Sequence, residues 1–295
     1  MNETLRATVL IPTIENRGPL LPYSVGSVLA QTVSDIEVFV MGDGVDNDTR
    51  AVIHDLMNHD SRIKFFDNPK HLRRGEPNRH RALAEARGEI VCYLCDRDLM
   101  LPNHIETVAQ LLINCDFCHT LISDVLPGQE RIRVVNELNL SDPSDRGWIL
   151  AARCVQNGIP LSFAAHRLDM YRKLPYGWRT TPENIFTDIY MWEQFLAHTE
   201  CRVVSGTVPT ILYFPRGNRI EWSVQQKLAE LEVWSERLRL ASWNTWFLQT
   251  TINALAQDRI VKARQLRVYS KPLAGVRMAY WKLRKVISAN DNLRE

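Results

Sequence analysis

Four short apolar runs, each followed by a segment expected to be helical, constrain this chain of 295 residues more than any other feature. Ala7 to Pro12 is the first run, and Leu20, Val25, Val28 and Leu29 then recur at helical spacing over Pro19 to Gln31. The second run, Glu37-Val38-Phe39-Val40-Met41, closes at Gly42-Asp43-Gly44, and Asp48 is placed to cap a helix carrying Val52, Ile53, Leu56 and Met57. A third short strand is expected over Ile63 to Phe66, then a helix over Asn78 to Arg87 with Gly88 as its stop. Ile90 to Leu94 ends at Asp96-Arg97-Asp98, and Pro102 opens a helix running through Leu112. Strands alternating with helices predict parallel βαβ units in a doubly wound α/β sheet. Ligands of such sheets bind beyond the carboxyl ends of the strands. Pro12-Thr13, Asp43 and Asp96-Arg97-Asp98 all lie at such ends, so they converge on one edge.

Composition excludes several other classes. A formal charge of +2 gives no global field that would argue for nucleic acid. No apolar stretch nears the roughly 20 residues of a membrane span, and no secretory signal is visible behind Met1, so a cytoplasmic protein is expected. Six cysteines in such a chain read as reduced thiols. Cys115-Asp116-Phe117-Cys118-His119 matches the spacing of haem attachment. It lacks a second ligand pair, and Asp116 to Val125 alternates like a strand, so the match is read as coincidence.

The motifs resemble glycosyltransferase family 2. Thr8-Val9-Leu10-Ile11-Pro12-Thr13, Ser27 to Thr32, Glu37 to Gly44 and Gly88 to Pro102 come in that family's order and spacing. The resemblance is strong over roughly the first 110 residues and continues weakly to about 215. It implies a GT-A fold, a Rossmann-like and mostly parallel sheet with helices on both faces. It also implies an inverting transferase that uses a nucleotide-diphosphate sugar, commonly a UDP-sugar, with Mn2+ or Mg2+. In this Asp-x-Asp motif Asp98 matches the direct metal ligand, and Asp96 a ribose or second metal contact. Asp43 matches the acid that accepts from the base, Pro12 and Thr13 the backbone lip near the nucleoside, and Arg79 the arginine near the nucleotide, with Arg17 and Arg74 as further candidates. Hard cations and diphosphates make such residue types apt: carboxylate oxygens suit magnesium or manganese, and guanidinium groups suit phosphate. His80 falls where an asparagine is usual. Cys95 and Arg97 stand where relatives often carry acids.

Asp188 matches the family's catalytic base, ahead of the apolar helix Asp188 to His198, while Thr187 replaces a glutamate and Glu183 is the fallback base. One carboxylate meets the need of an inverting displacement for a general base. The segments His166-Arg167, Tyr176-Gly177-Trp178-Arg179 and Thr180-Thr181-Pro182 are candidates for acceptor binding. The catalytic domain is expected over 1–215, closing with a strand at Pro209 to Pro215, and a helical, basic extension over 216–295. Within that extension Val224, Leu228, Leu231, Trp234 and Leu238 share one helical face, as do Val276, Tyr280, Leu283 and Ile287. Nine basic residues and no acidic ones lie between Arg259 and Asn290, a pattern suited to an anionic membrane surface or to packing, including in a homodimer. The acceptor implied is a saccharide or a lipid-linked glycan, in surface polysaccharide or glycan assembly, and no nucleic-acid motif is present. Two rivals are a sugar-nucleotide pyrophosphorylase, disfavoured by the single glycine in Pro12 to Gly18, and a degenerate sugar-nucleotide-binding or scaffolding domain without turnover.

Overall fold

The computed structural model describes residues 4–265 apart from 130, 136 and 137, so the basic segment beyond 265 and the face through Val276 to Ile287 lie outside the described residues. All of β2 (Ile36–Asp43) is buried, which makes it a central strand covered on both sides. It pairs in parallel with β1 (Leu5–Thr13) on one side and β3 (Ile63–Asn68) on the other. β1 pairs in parallel with β4 (Gly88–Tyr93). The connections are α1 (Leu21–Leu29), α2 (Asn47–His59) and α3 (Glu76–Ala84), as the alternation predicts. Asp46 caps α2, accepting from the Thr49 amide at 2.7 Å, whereas the sequence pattern pointed to Asp48, which lies in the first turn.

After β4 come β5 (Leu99–Met100), α4 (His104–Leu111), β6 (Phe117–His119), β7 (Ser123–Val125), β8 (Ile132–Val134) and α5 (Pro143–Ala151). They are followed by β9 (Ala164–Arg167), α6 (Leu168–Tyr171), α7 (Thr187–Ala197), β10 (Val203–Ser205), β11 (Ile211–Leu212) and α8 (Val224–Leu238). The main sheet has the order β10-β6-β9-β4-β1-β2-β3. β9 runs antiparallel between β4 and β6. This is the mostly parallel sheet flanked by helices that the sequence implied. The strand expected over Asp116 to Val125 is broken: β6 stays in the main sheet, and β7 pairs with β8 in a small sheet of its own. The break falls where the Thr120 and Leu121 amides turn to the carbonyls of Phe163 and Val208. The strand expected over Pro209 to Pro215 shrinks to β11 on β5, since the prolines at both ends have no N–H to donate. Cys118 and His119 are buried within β6, and the His119 ring contacts the Ser205 hydroxyl at 2.7 Å.

A helix over 243–265 (α9) follows α8. Leu231, Trp234 and Phe247 from these two helices join Leu20, Leu99, Leu101, Val125 and Phe214 in one apolar cluster. That cluster fastens α8 to the loop after β1 and to β5, which brings the helix beside the edge where ligands of such a sheet bind. No helix among the described residues is long and apolar enough to cross a membrane.

Gly88 opens β4 directly against β1. Its amide donates to the Thr8 hydroxyl at 3.0 Å, and an added Cβ would overlap the Thr8 backbone. Gly88→Ala is therefore expected to cost about 3 kcal/mol, read as a lowered denaturant midpoint with the slope unchanged.

Candidate active site

The strand ends converge as expected. Thr13 lies opposite Gly42 in the β1–β2 register, and its hydroxyl donates to Asp96 Oδ2 at 3.1 Å. Arg17 Nε stands 3.7 Å from the same oxygen. The loop that carries Arg17 is pinned from α2. Asn16, in the left-handed region at φ 60°, donates its amide to the Asp46 carboxylate, and the Gly18 amide donates to the Thr49 hydroxyl at 3.0 Å.

Asp43 is buried at the end of β2. Its Oδ1 accepts from the His71 amide at 2.6 Å and its Oδ2 from Lys70 Nζ at 2.5 Å. Gly44 and Gly75 both have positive φ here, and a side chain on Gly44 would meet Lys70. Asp43 therefore organises the basic loop after β3.

Asp98 is placed differently from the expectation of a direct metal ligand. It is 0% exposed. The Phe214 amide donates to Oδ1 at 3.0 Å, and the Ser162 hydroxyl to Oδ2 at 2.5 Å. Ser162 in turn accepts from the Cys95 amide at 3.0 Å. The carboxylate thus ties the loop after β4 to the segments before β9 and after β11, and neither oxygen reaches the edge. A hard cation needs several oxygen ligands. Of the two aspartates Asp96 alone offers one here, and its neighbour is the Arg17 guanidinium. Among the described residues no group of three His, Cys, Asp or Glu is placed to hold a metal ion. The residues present do not fit a cation held by Asp96 and Asp98.

Burial pushes the Asp98 carboxyl up to about 6, against the pull of Arg97 and of the hydrogen bonds from Phe214 and Ser162. The folded state then holds this proton more tightly than the unfolded chain does. Stability from this group is full below about pH 4 and falls by about 3 kcal/mol as pH rises to about 6. Asp98→Asn keeps one acceptor for Phe214 and is expected to remove that fall. Denaturant unfolding at pH 4 and pH 7, compared between the two proteins, measures it.

Arg79 lies on α3, buried. Its Nη2 donates to the Arg74 carbonyl at 2.9 Å, and its guanidinium stacks 4.7 Å from the centre of the Trp178 ring. Its Nε and Nη1 have no partner among the described residues although both are buried. Orphaned donors on a buried cation carry a desolvation penalty, which an anionic ligand would relieve. Burial lowers the Arg79 pKa, and the charges of Asp188 and Glu76 oppose that shift. Glu76, 0% exposed at the start of α3, accepts from the amides of Arg74 at 3.0 Å and Thr181 at 3.3 Å. Arg73 donates to the carbonyls of Pro182 and Glu183. The basic loop is thereby sewn to the segment before α7. His80 points elsewhere, to the Tyr171 hydroxyl at 2.8 Å.

Asp188 sits in the first turn of α7. Its Oδ2 accepts from Asn157 Nδ2 at 2.7 Å and from the Leu161 amide at 3.1 Å. No partner engages Oδ1 among the described residues. Burial raises its pKa, while Asn157, Arg79, Arg74 and the Leu161 amide hold the shift back. One oxygen is fixed and the other is open, which is the arrangement a general base requires. Glu183 is exposed. Tyr176 and Arg179, expected on the acceptor side, line a groove with Arg153, Glu193 and His198 on the outer face of α7, where Arg179 stacks 3.9 Å from the centre of the Tyr176 ring.

Comparison with known proteins now bears on this edge. The model of glycosyl transferase family 2 matches residues 8–123, the stretch that carries Thr13, Asp43, Arg79, Asp96 and Asp98. Residues 8–123 are a glycosyl transferase family 2 domain. A GalNAc(5)-diNAcBac-PP-undecaprenol beta-1,3-glucosyltransferase of Campylobacter jejuni is 33% identical over 105 residues, which cover 36% of this chain and 34% of that one. An uncharacterized glycosyltransferase of Nostoc is 26% identical over 175 residues, 56% of this chain and 53% of that one. The chain thus spans about a third to a half of the length of these curated relatives.

Among solved structures, S. aureus TarS 1-349 in complex with UDP-GlcNAc matches with a TM-score of 0.54 at 15% identity, covering 80% of this chain and 68% of that one. The mannosyltransferase PcManGT from Pyrobaculum calidifontis, in complex with GDP-Man and Mn2+, matches with a TM-score of 0.50 at 17% identity, covering 88% and 76%. Identities this low carry the GT-A fold and nothing further. Within this family 2 domain and its continuation, sequence reading missed Ser162, Asn157 and Glu76. Each acts by holding another site residue, and none stands in a motif.

Proposed function

We propose that this chain transfers a sugar from a nucleotide-diphosphate donor to an acceptor hydroxyl with inversion at the anomeric carbon. The observation that carries the reading is Asp188, with Oδ2 held by Asn157 and Leu161 and Oδ1 open, within the reach of the charge of Arg79, whose Nε and Nη1 are orphaned among the described residues. In this reading Thr13, Asp43, Asp96 and the lip at Pro12 face the nucleoside, and Arg79 and Arg17 face the diphosphate. The acceptor oxygen attacks the anomeric carbon while Asp188 Oδ1 takes its proton. The bond from that carbon to the phosphate oxygen breaks, and the electron pair leaves with the nucleoside diphosphate. Burial makes Asp188 more basic than a solvated aspartate, which favours proton removal near neutral pH.

A finer reading, a UDP-sugar donor and a saccharide or lipid-linked acceptor in glycan assembly, has support in the UDP-GlcNAc complex of TarS and in the PP-undecaprenol of the Campylobacter relative's name. The cation expected from the sequence, Mn2+ or Mg2+, has support in the Mn2+ complex of PcManGT, but it is not carried into the reaction here because the residues present do not fit it. Replacement of acidic positions by Cys95, Arg97 and Thr187 favours a second reading, a sugar-nucleotide-binding domain without turnover. Donor hydrolysis followed by NMR tests the proposal. An α-linked donor is expected to release the β-anomer first. A first product with retained configuration would refute inversion, and absence of turnover with every donor would favour the second reading.

A further inference from the structure

Arg97 occupies the middle of the Asp96-Arg97-Asp98 loop. Its Nε donates to the Phe214 carbonyl at 3.0 Å, which fixes the side chain along the edge, and its terminal nitrogens have no partner among the described residues. Arg17 stands on the other side of Asp96, 3.7 Å from Oδ2. α8 carries Lys227 to the same place, where Nζ donates to the Trp222 carbonyl at 2.7 Å. Burial and then the charges of Arg17, Arg97 and Arg216 hold the Lys227 ammonium below its usual range, so these four cations share one neighbourhood. Asp96 and the fully enclosed Asp98 oppose them beside Arg97. Such a surplus of positive charge repels a dication and attracts a diphosphate. A guanidinium supplies paired donors in a geometry matched to phosphate oxygens, and it is held in place by its own hydrogen bond.

We infer that Arg97, flanked by Arg17 and Lys227, holds the donor's diphosphate in the position a divalent cation would take, so that nucleotide binding by this chain needs no metal ion. This rests on the nucleotide-sugar reading above and deepens it. The fixed cations take up the negative charge that grows on the leaving diphosphate. α8 then belongs to the donor site, which explains why an apolar cluster clamps it against the loop after β1.

Calorimetric titration with UDP, UMP, GDP and GMP, in EDTA and in Mn2+, tests the inference separately from turnover. A diphosphate is expected to bind at least tenfold more tightly than its monophosphate, with affinities equal within about twofold in EDTA and Mn2+. Arg97→Gln is expected to reduce diphosphate affinity at least tenfold while leaving monophosphate affinity unchanged, and its unfolding midpoint reports whether it remains folded. Lys227→Gln, on a partly exposed helix face, is the second variant and is expected to lower diphosphate affinity several-fold. A loss of diphosphate affinity of tenfold or more in EDTA would overturn the inference. An unchanged ratio of diphosphate to monophosphate affinity in both variants would do so too. Nucleotide binding of this pattern without any sugar transfer would leave it standing and would refute the transferase reading alone.

Discussion

Asp188→Asn is expected to lower turnover by a factor of about 100 to 10,000, the usual worth of a positioned general base, while leaving donor affinity within about twofold of the original. The substitution is close to isosteric. The asparagine oxygen still accepts from Asn157 and the Leu161 amide, so the start of α7 keeps its place. What is lost is the open carboxylate oxygen, and with it the destination of the acceptor's proton. A pH profile gives a second readout. Activity should rise with pH through a pKa shifted upward from that of a free aspartate, because burial disfavours the ionised form. Unimpaired turnover in Asp188→Asn would remove it as the base and return attention to Glu183, which is exposed.

Arg79→Met separates binding from stability. A buried guanidinium with two unpaired nitrogens is poorly satisfied in the free protein. Methionine keeps the length of the side chain and its contact with Trp178 while removing the unpaired charge. Folding stability is expected to stay level or rise by about 1 kcal/mol. Nucleoside diphosphate affinity is expected to fall about 10- to 100-fold, since hydrogen bonds to charged groups contribute about 1.5–3 kcal/mol. Unfolding curves and calorimetry on one preparation read both effects. A large loss of stability with unchanged affinity would show that Arg79 is structural.

The first half of the fold was legible because each apolar run is bounded by residues that cannot continue it. Gly42-Asp43-Gly44 closes β2, and Pro12-Thr13 marks the end of β1. Thr13, Asp96 and Arg17 meet as the order of strands requires. The role of Asp98 was not legible. Its partners lie 64 and 116 residues away, at Ser162 and Phe214, and nothing local shows that they enclose it. A motif gives the place of a carboxylate, while only packing decides whether its oxygens remain free. The same holds for Asn157, whose amide steers Asp188 from a loop with no periodicity. The broken strand over Asp116 to Val125 has a related cause: alternation marks extended backbone but cannot reveal that two carbonyls draw Thr120 and Leu121 out of the sheet.

Release of nucleoside diphosphate from a panel of UDP- and GDP-sugars, compared between the native protein and Asp188→Asn, addresses the central claim most directly. The account predicts release from at least one donor by the native protein, and its near-complete loss in the variant with donor affinity preserved. Equal release by the two proteins, or tight donor binding by the native protein with no release from any donor, would contradict it.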